Sequence, residues 1–196
     1  MTIGLILIAT SPGCTTRLPA VAEDLPPNKP VVLGRAVSVL LGPTTRWYLP
    51  AVRFVELVNR DTHERYQVLL EAEDRRFAIE VPPGPYELSR VQISEGPFMS
   101  MADLQAVFTV ADTGLVSVGT WRFGIETPQY GRKVVVSIIE DPESARESVQ
   151  KFLEQHPDWE GQTVTSSLPE PAVLETRLYE VAPYPRNPRY FRRHWW

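Results

Sequence analysis

The chain of 196 residues contains one cysteine, Cys14, so no internal disulfide can brace it. Histidine is almost as scarce. His63, His156 and His194 lie dozens of residues apart, a spacing that offers no histidine-based metal site and no base beside the lone thiol. There is no Walker loop, no dinucleotide fingerprint, no GxSxG, no HExxH and no paired-cysteine spacing, which removes the enzyme and metal classes that such signatures mark. No cofactor, catalytic residue or metal ligand is therefore assigned. Of the twenty basic residues seventeen are arginine, but they are spread along the chain until the last thirteen positions, so there is no nucleic-acid footprint across the molecule. The apolar opening Ile3 to Ala9, IGLILIA, is far shorter than the roughly 20 residues of a bilayer-spanning helix.

What is present suits one globular core. Hydrophobic residues make up 43% of the chain and the net charge is −4. The nineteen prolines cluster in LPAVAEDLPPNKP, VPPGP, LPEP and VAPYPRNPRY, which suggests a compact centre with extended tails. From Pro30 the sequence breaks into short alternating or β-branched runs bounded by turn residues: 31–41, 51–59, 65–72, 75–81, 86–93, 104–110, 115–125 and 133–139. Eight strands at this spacing predict a mostly β protein, an antiparallel β-sandwich or barrel. Within VPPGPYEL, Pro at the second and Gly at the third turn position fit a type II turn, with positive φ at Gly84.

The pattern F-x-I-x-V-P-P-G-x-Y-x-L over Phe77 to Leu88 resembles a hairpin of carboxypeptidase-regulatory-like and other transthyretin-like β-sandwich domains. VSVGTW, Val116 to Trp121, resembles a strand of uncharacterised bacterial envelope proteins that share it. The resemblance implies a transthyretin-like or Ig-like sandwich over 31–140 and carries no catalytic residue with it. After it, Asp141 as N-cap, Pro142 at the first helical position and Ala145, Val149, Phe152 and Leu153 on one face predict a helix over 141–156, packed on one edge of the sandwich.

Three further segments read as connections. EAEDRR, with Glu71, Glu73 and Asp74, reads as a solvated hairpin loop, and His63 as a turn residue. EGPFMSMADL reads as a longer connection whose Phe98, Met99 and Met101 tuck under the sheet as a lid, with a binding surface as the alternative.

IGLILIA followed by Ser11, Pro12, Gly13 and Cys14 resembles the lipobox of bacterial lipoproteins, although no Lys or Arg precedes the run. The resemblance implies a signal peptide at 1–13, acylation of Cys14 and a lipid-anchored tether over 14–30. The alternative is that the run is a buried strand and Cys14 a small core residue. Residues 157–196 read as a Pro-rich and then basic aromatic tail. At its end Arg186, Arg189, Tyr190, Phe191, Arg192, Arg193, Trp195 and Trp196 suit contact with an envelope protein partner, a lipid headgroup interface or an anionic glycan, the other reading being a tail docked on its own sandwich or disordered. The chain is thus expected to be a non-enzymatic cell-envelope lipoprotein, held by its lipid anchor on the periplasmic face of the outer membrane as a binding or accessory module. A structural subunit of a larger exported assembly and an envelope glycan hydrolase are the alternatives.

Overall fold

The computed structural model describes residues 15–22, 25–42, 47–70, 75–129 and 131–181. In these the chain forms β1 (Thr15–Leu18), β2 (Val31–Leu40), β3 (Pro50–Asn59), β4 (Arg65–Leu69), β5 (Arg76–Glu80), β6 (Gly84–Glu95), β7 (Phe98–Val110), β8 (Leu115–Ile125), β9 (Lys133–Ile139), α1 (Pro142–Gln155), β10 (Val164–Ser166), β11 (Val173–Arg177) and β12 (Tyr179–Val181). One sheet has the order β1-β4-β3-β6-β7-β12. The other has β11-β9-β8-β2-β5, with β10 beside β8. The two pack face to face as a sandwich, and the mostly β expectation holds.

The sheets are mixed rather than purely antiparallel. β2 and β8 run parallel over Val31–Leu40 and Leu115–Ile125, β1 runs parallel to β4, and β10 parallel to β8. The reason lies in the connections. Between β2 and β8 the chain crosses to the first sheet, returns for β5 and crosses again for β6 and β7, so β8 re-enters the second sheet from the end where β2 began. Periodicity reports which residues face inward, but not the direction of a strand's neighbour.

The Pro-Gly turn shows the same effect. Gly84 has the expected positive φ, +135°, yet Pro82 to Gly84 does not close a hairpin: β5 pairs with β2, and β6 pairs with β3 and β7. The turn is a corner that carries the chain between sheets. Two prolines have no N–H for a ladder, so the segment suits a crossing. Tyr86 secures it, its Oη donating to the Pro82 carbonyl at 2.8 Å in the manner of a tyrosine corner.

Between the sheets runs a line of aromatic rings, Tyr66, Tyr86, Phe108, Trp121 and Phe77, with successive centroids 6.1, 5.9, 6.3 and 5.1 Å apart. Trp121 is fully buried and its Nε1–H donates to the Val118 carbonyl at 2.9 Å. A second, smaller core covers the outer face of the β2–β5–β8 sheet. There Phe152 of α1 and Trp159 meet Leu25, Val31, Leu33, Ala78 and Leu115, which accounts for the unbroken apolar start of β2, buried on both faces. The helix begins as read from sequence: the Asp141 side chain accepts from the Ser144 N–H at 3.2 Å. Its Phe152 is buried and Val149 and Leu153 are half-buried, on a sheet face rather than an edge.

Segments expected as tether and tail are built into the sandwich. Residues 15–18 extend the first sheet, and Ala20 and Ala22 exchange hydrogen bonds with Ala78 on the edge of the second (2.7 and 3.4 Å), closing one open side. On the other side β11 adds to the second sheet and β12 to the first, with Leu178 buried between them. The sandwich therefore takes in chain well outside 31–140. The segment read as a long connection, EGPFMSMADL, is a tight hairpin turn at Gly96-Pro97 and the start of β7, so Met99 and Met101 belong to a strand.

Candidate functional site

The sandwich has two unlike ends. At one lie the turn between β3 and β4, the Pro82–Gly84 corner and the start of β1, where Thr15 pairs with Arg65 and Arg65 with Val58. At the other lie the connections from β2 to β3 and from β8 to β9, the Gly96-Pro97 turn and the exit from β12.

The second end carries a cleft of about 420 Å³. Trp47 and Tyr48, which lead into β3, and Phe98, which starts β7, stand on it at 97%, 49% and 40% exposure. Exposed aromatics in one group are unusual on a surface and mark recognition sites. Tyr48 is seated by its neighbour. A Cβ on Gly96 would fall 2.5 Å from the Tyr48 ring, so only glycine lets the ring lie on that turn, and the φ of +59° there suits it as well.

Beneath the aromatics lies a buried ion pair. Arg132, from the connection that enters β9, pairs through Nη1 with Glu95 at the end of β6, and its Nη2 donates to Ser100 Oγ at 2.8 Å. Its backbone is tied too: the Leu178 N–H donates to the Arg132 carbonyl at 2.9 Å. The guanidinium thus fastens β6 to β7, and the backbone of the same residue holds the approach to β12. A second lobe of about 470 Å³ adjoins the first, sharing Pro128, Arg132 and Glu180, and is walled by Gln129, Arg177 and Tyr179. The Tyr179 Oη donates to Asp103 at 3.2 Å; burial first, and then that carboxylate, raise its pKa above the ordinary phenol value.

Cys14 and the tail residues Arg186, Arg189, Tyr190, Phe191, Arg192, Arg193, Trp195 and Trp196 lie outside the described residues, as do Glu71, Glu73 and Asp74. His63 sits, as expected, in the turn after β3, at φ +60°, where the Asn59 side chain accepts from the Asp61 and Thr62 N–H groups. Among the described residues no group of three or more His, Cys, Asp or Glu is placed to hold a metal ion, and no helix is long and apolar enough to cross a membrane. Sequence reading gave Phe98 first as part of a lid, with a binding surface as the alternative, and passed over Trp47, Tyr48 and the Glu95–Arg132 pair. The one signal for them was RWYLP, two aromatics at a turn before a strand.

Compared with known proteins, the chain matches no family model, no curated protein and no solved structure.

Proposed function

We propose that this chain is a non-enzymatic binding or accessory module of the bacterial cell envelope, anchored through a lipid on Cys14 at the periplasmic face of the outer membrane. The observation that carries the reading is the polarity of the sandwich. Thr15, the residue after Cys14, begins β1 at one end, and the aromatic cleft opens at the other. From Val58, in the row of Thr15, back to Pro50 at the start of β3 is eight residues, roughly 26 Å at about 3.3 Å each, with Tyr48 just beyond. An anchor at one end and an aromatic recognition surface at the other is a working layout for a tethered binder. The Tyr-led strand β6 supports the transthyretin-like part of the proposal, although the Pro-Gly segment before it is a corner between sheets and not the hairpin of the resemblance. The basic aromatic residues from Arg186 to Trp196 belong to it as a second contact for an envelope protein.

The test is chemical. Full-length protein made in a bacterial host should carry the mass of a lipid on Cys14 and lose residues 1–13, and Cys14→Ser should remain an unmodified precursor. A lipidated, cleaved product from Cys14→Ser, or an unmodified wild type, would defeat the reading. The free edge of β11, with Val173 64% exposed, favours a second reading as a subunit of an exported assembly. A monomer in sedimentation would count against it.

A further inference from the structure

Resting on the reading of the chain as a binding module, we propose that the two-lobed cleft takes a carbohydrate, a short stretch of neutral oligosaccharide. A pyranose ring has apolar C–H faces and a rim of hydroxyls, so a site for it needs flat apolar surfaces beside planar side chains that present paired hydrogen-bonding atoms. The first lobe supplies the surfaces in Trp47, Tyr48 and Phe98. The second supplies the amide of Gln129 and the carboxylate of Glu180, each able to engage two neighbouring hydroxyls, beside Arg177 and Tyr179. Pro128, Arg132 and Glu180 line both lobes, so a chain of sugars passes from stacking to hydrogen bonding without a break. Each lobe, at about 420 and 470 Å³, falls within the usual size of a small-ligand site.

Two features separate this ligand from others. Among the described lining residues the charges balance, Glu95 and Glu180 against Arg132 and Arg177, which favours a neutral ligand over a polyanion or a strongly basic peptide. The walls are also set in advance: Tyr48 rests on Gly96, Tyr179 is held by Asp103, and Arg132 by Glu95 and Ser100. Side chains fixed before binding lose little entropy when the ligand arrives.

The experiment is calorimetric titration of the full-length protein with short oligosaccharides of N-acetylglucosamine, glucose and mannose, and with a proline-rich peptide as the protein-type arm. At least one sugar should bind, and Trp47→Ala and Gln129→Ala should each weaken it roughly tenfold. Both positions are exposed, so neither change threatens the fold. Cys14→Ser should bind the sugar like wild type, which keeps a failure of the cleft separate from a failure of the anchor. Binding of the peptide alone, binding of no sugar, or sugar binding unaltered in both variants would overturn the proposal.

Discussion

Arg132 shows how one side chain serves both stability and site. Buried with Glu95, it has exchanged hydration for one carboxylate and one hydroxyl, and such a pair is worth most when both partners are present. Arg132→Met alone should cost about 3–5 kcal/mol, because it removes the guanidinium that faces the buried Glu95 carboxylate. The double change Arg132→Met with Glu95→Gln should cost clearly less than the two single changes added. Denaturant unfolding of the four proteins checks this, and strict additivity would contradict it. The buried tyrosines give a pH prediction of known sign. Burial raises the phenols of Tyr66 and Tyr86 above their ordinary value of 10.0, helped at Tyr66 by its Oη donating to Glu64 at 2.8 Å. Below that value both folded and unfolded chains hold the protons and the stabilisation is complete. As pH rises past it, the unfolded chain releases protons that the folded one retains, so stability falls. Unfolding midpoints should be lower at about pH 11 than at about pH 9, with the drop smaller in Tyr66→Phe. An equal drop in that variant would place the effect elsewhere.

Elements at the margins of this fold do more than connect. Residues 15–22 and β11–β12 cover the longer strands β4, β5, β7 and β9 and leave short, mostly exposed segments as the outer edges. Leu178 sits at the join of β11 and β12, and Leu178→Ala should cost about 2–5 kcal/mol in denaturant unfolding, the range of a core leucine. A loss under half a kcal/mol would mean that the join is dispensable. At the Pro82–Gly84 corner a Cβ meets only ordinary contacts, the nearest being the Asn59 amide nitrogen at 3.5 Å, so the cost of Gly84→Val comes from φ alone. It should be about 1 kcal/mol or more, and an unchanged melting temperature would remove the strain from the account. Much of this was legible in the sequence. The alternation in RRFAIEV, the β-branched run in KVVVSII and the cap at Asp141 gave β5, β9 and α1, because each is decided by residues close together in the chain. The strands β1, β10, β11 and β12 were not legible. They are three to five residues long, mostly exposed, and exist through pairing with strands far off in sequence. The cleft escaped for the same reason: Tyr48, Phe98 and Arg132 come together only when three connections meet at one end.

Taken whole, the molecule is a two-ended body, and that polarity is what the functional proposal uses. The segment first read as a tether begins with a paired strand, so in the described fold Thr15 belongs to the sheet and leaves no slack between Cys14 and the sandwich. A lipid on Cys14 would seat the turn between β3 and β4 near the membrane and direct Trp47, Phe98 and the Arg132 pair away from it, toward a ligand on the far side. The most direct test places a fluorescent label at each end in turn. Cys14 is the only native cysteine and, on the proposed reading, would be taken up by acylation, so Thr62→Cys and Gln129→Cys would each provide a unique thiol at an exposed position. With the lipidated protein in vesicles containing headgroup spin-labelled lipid, the label at position 62 should be quenched strongly and the label at position 129 hardly at all. Equal quenching at the two positions, or stronger quenching at 129, would contradict an anchored body that presents its cleft away from the membrane.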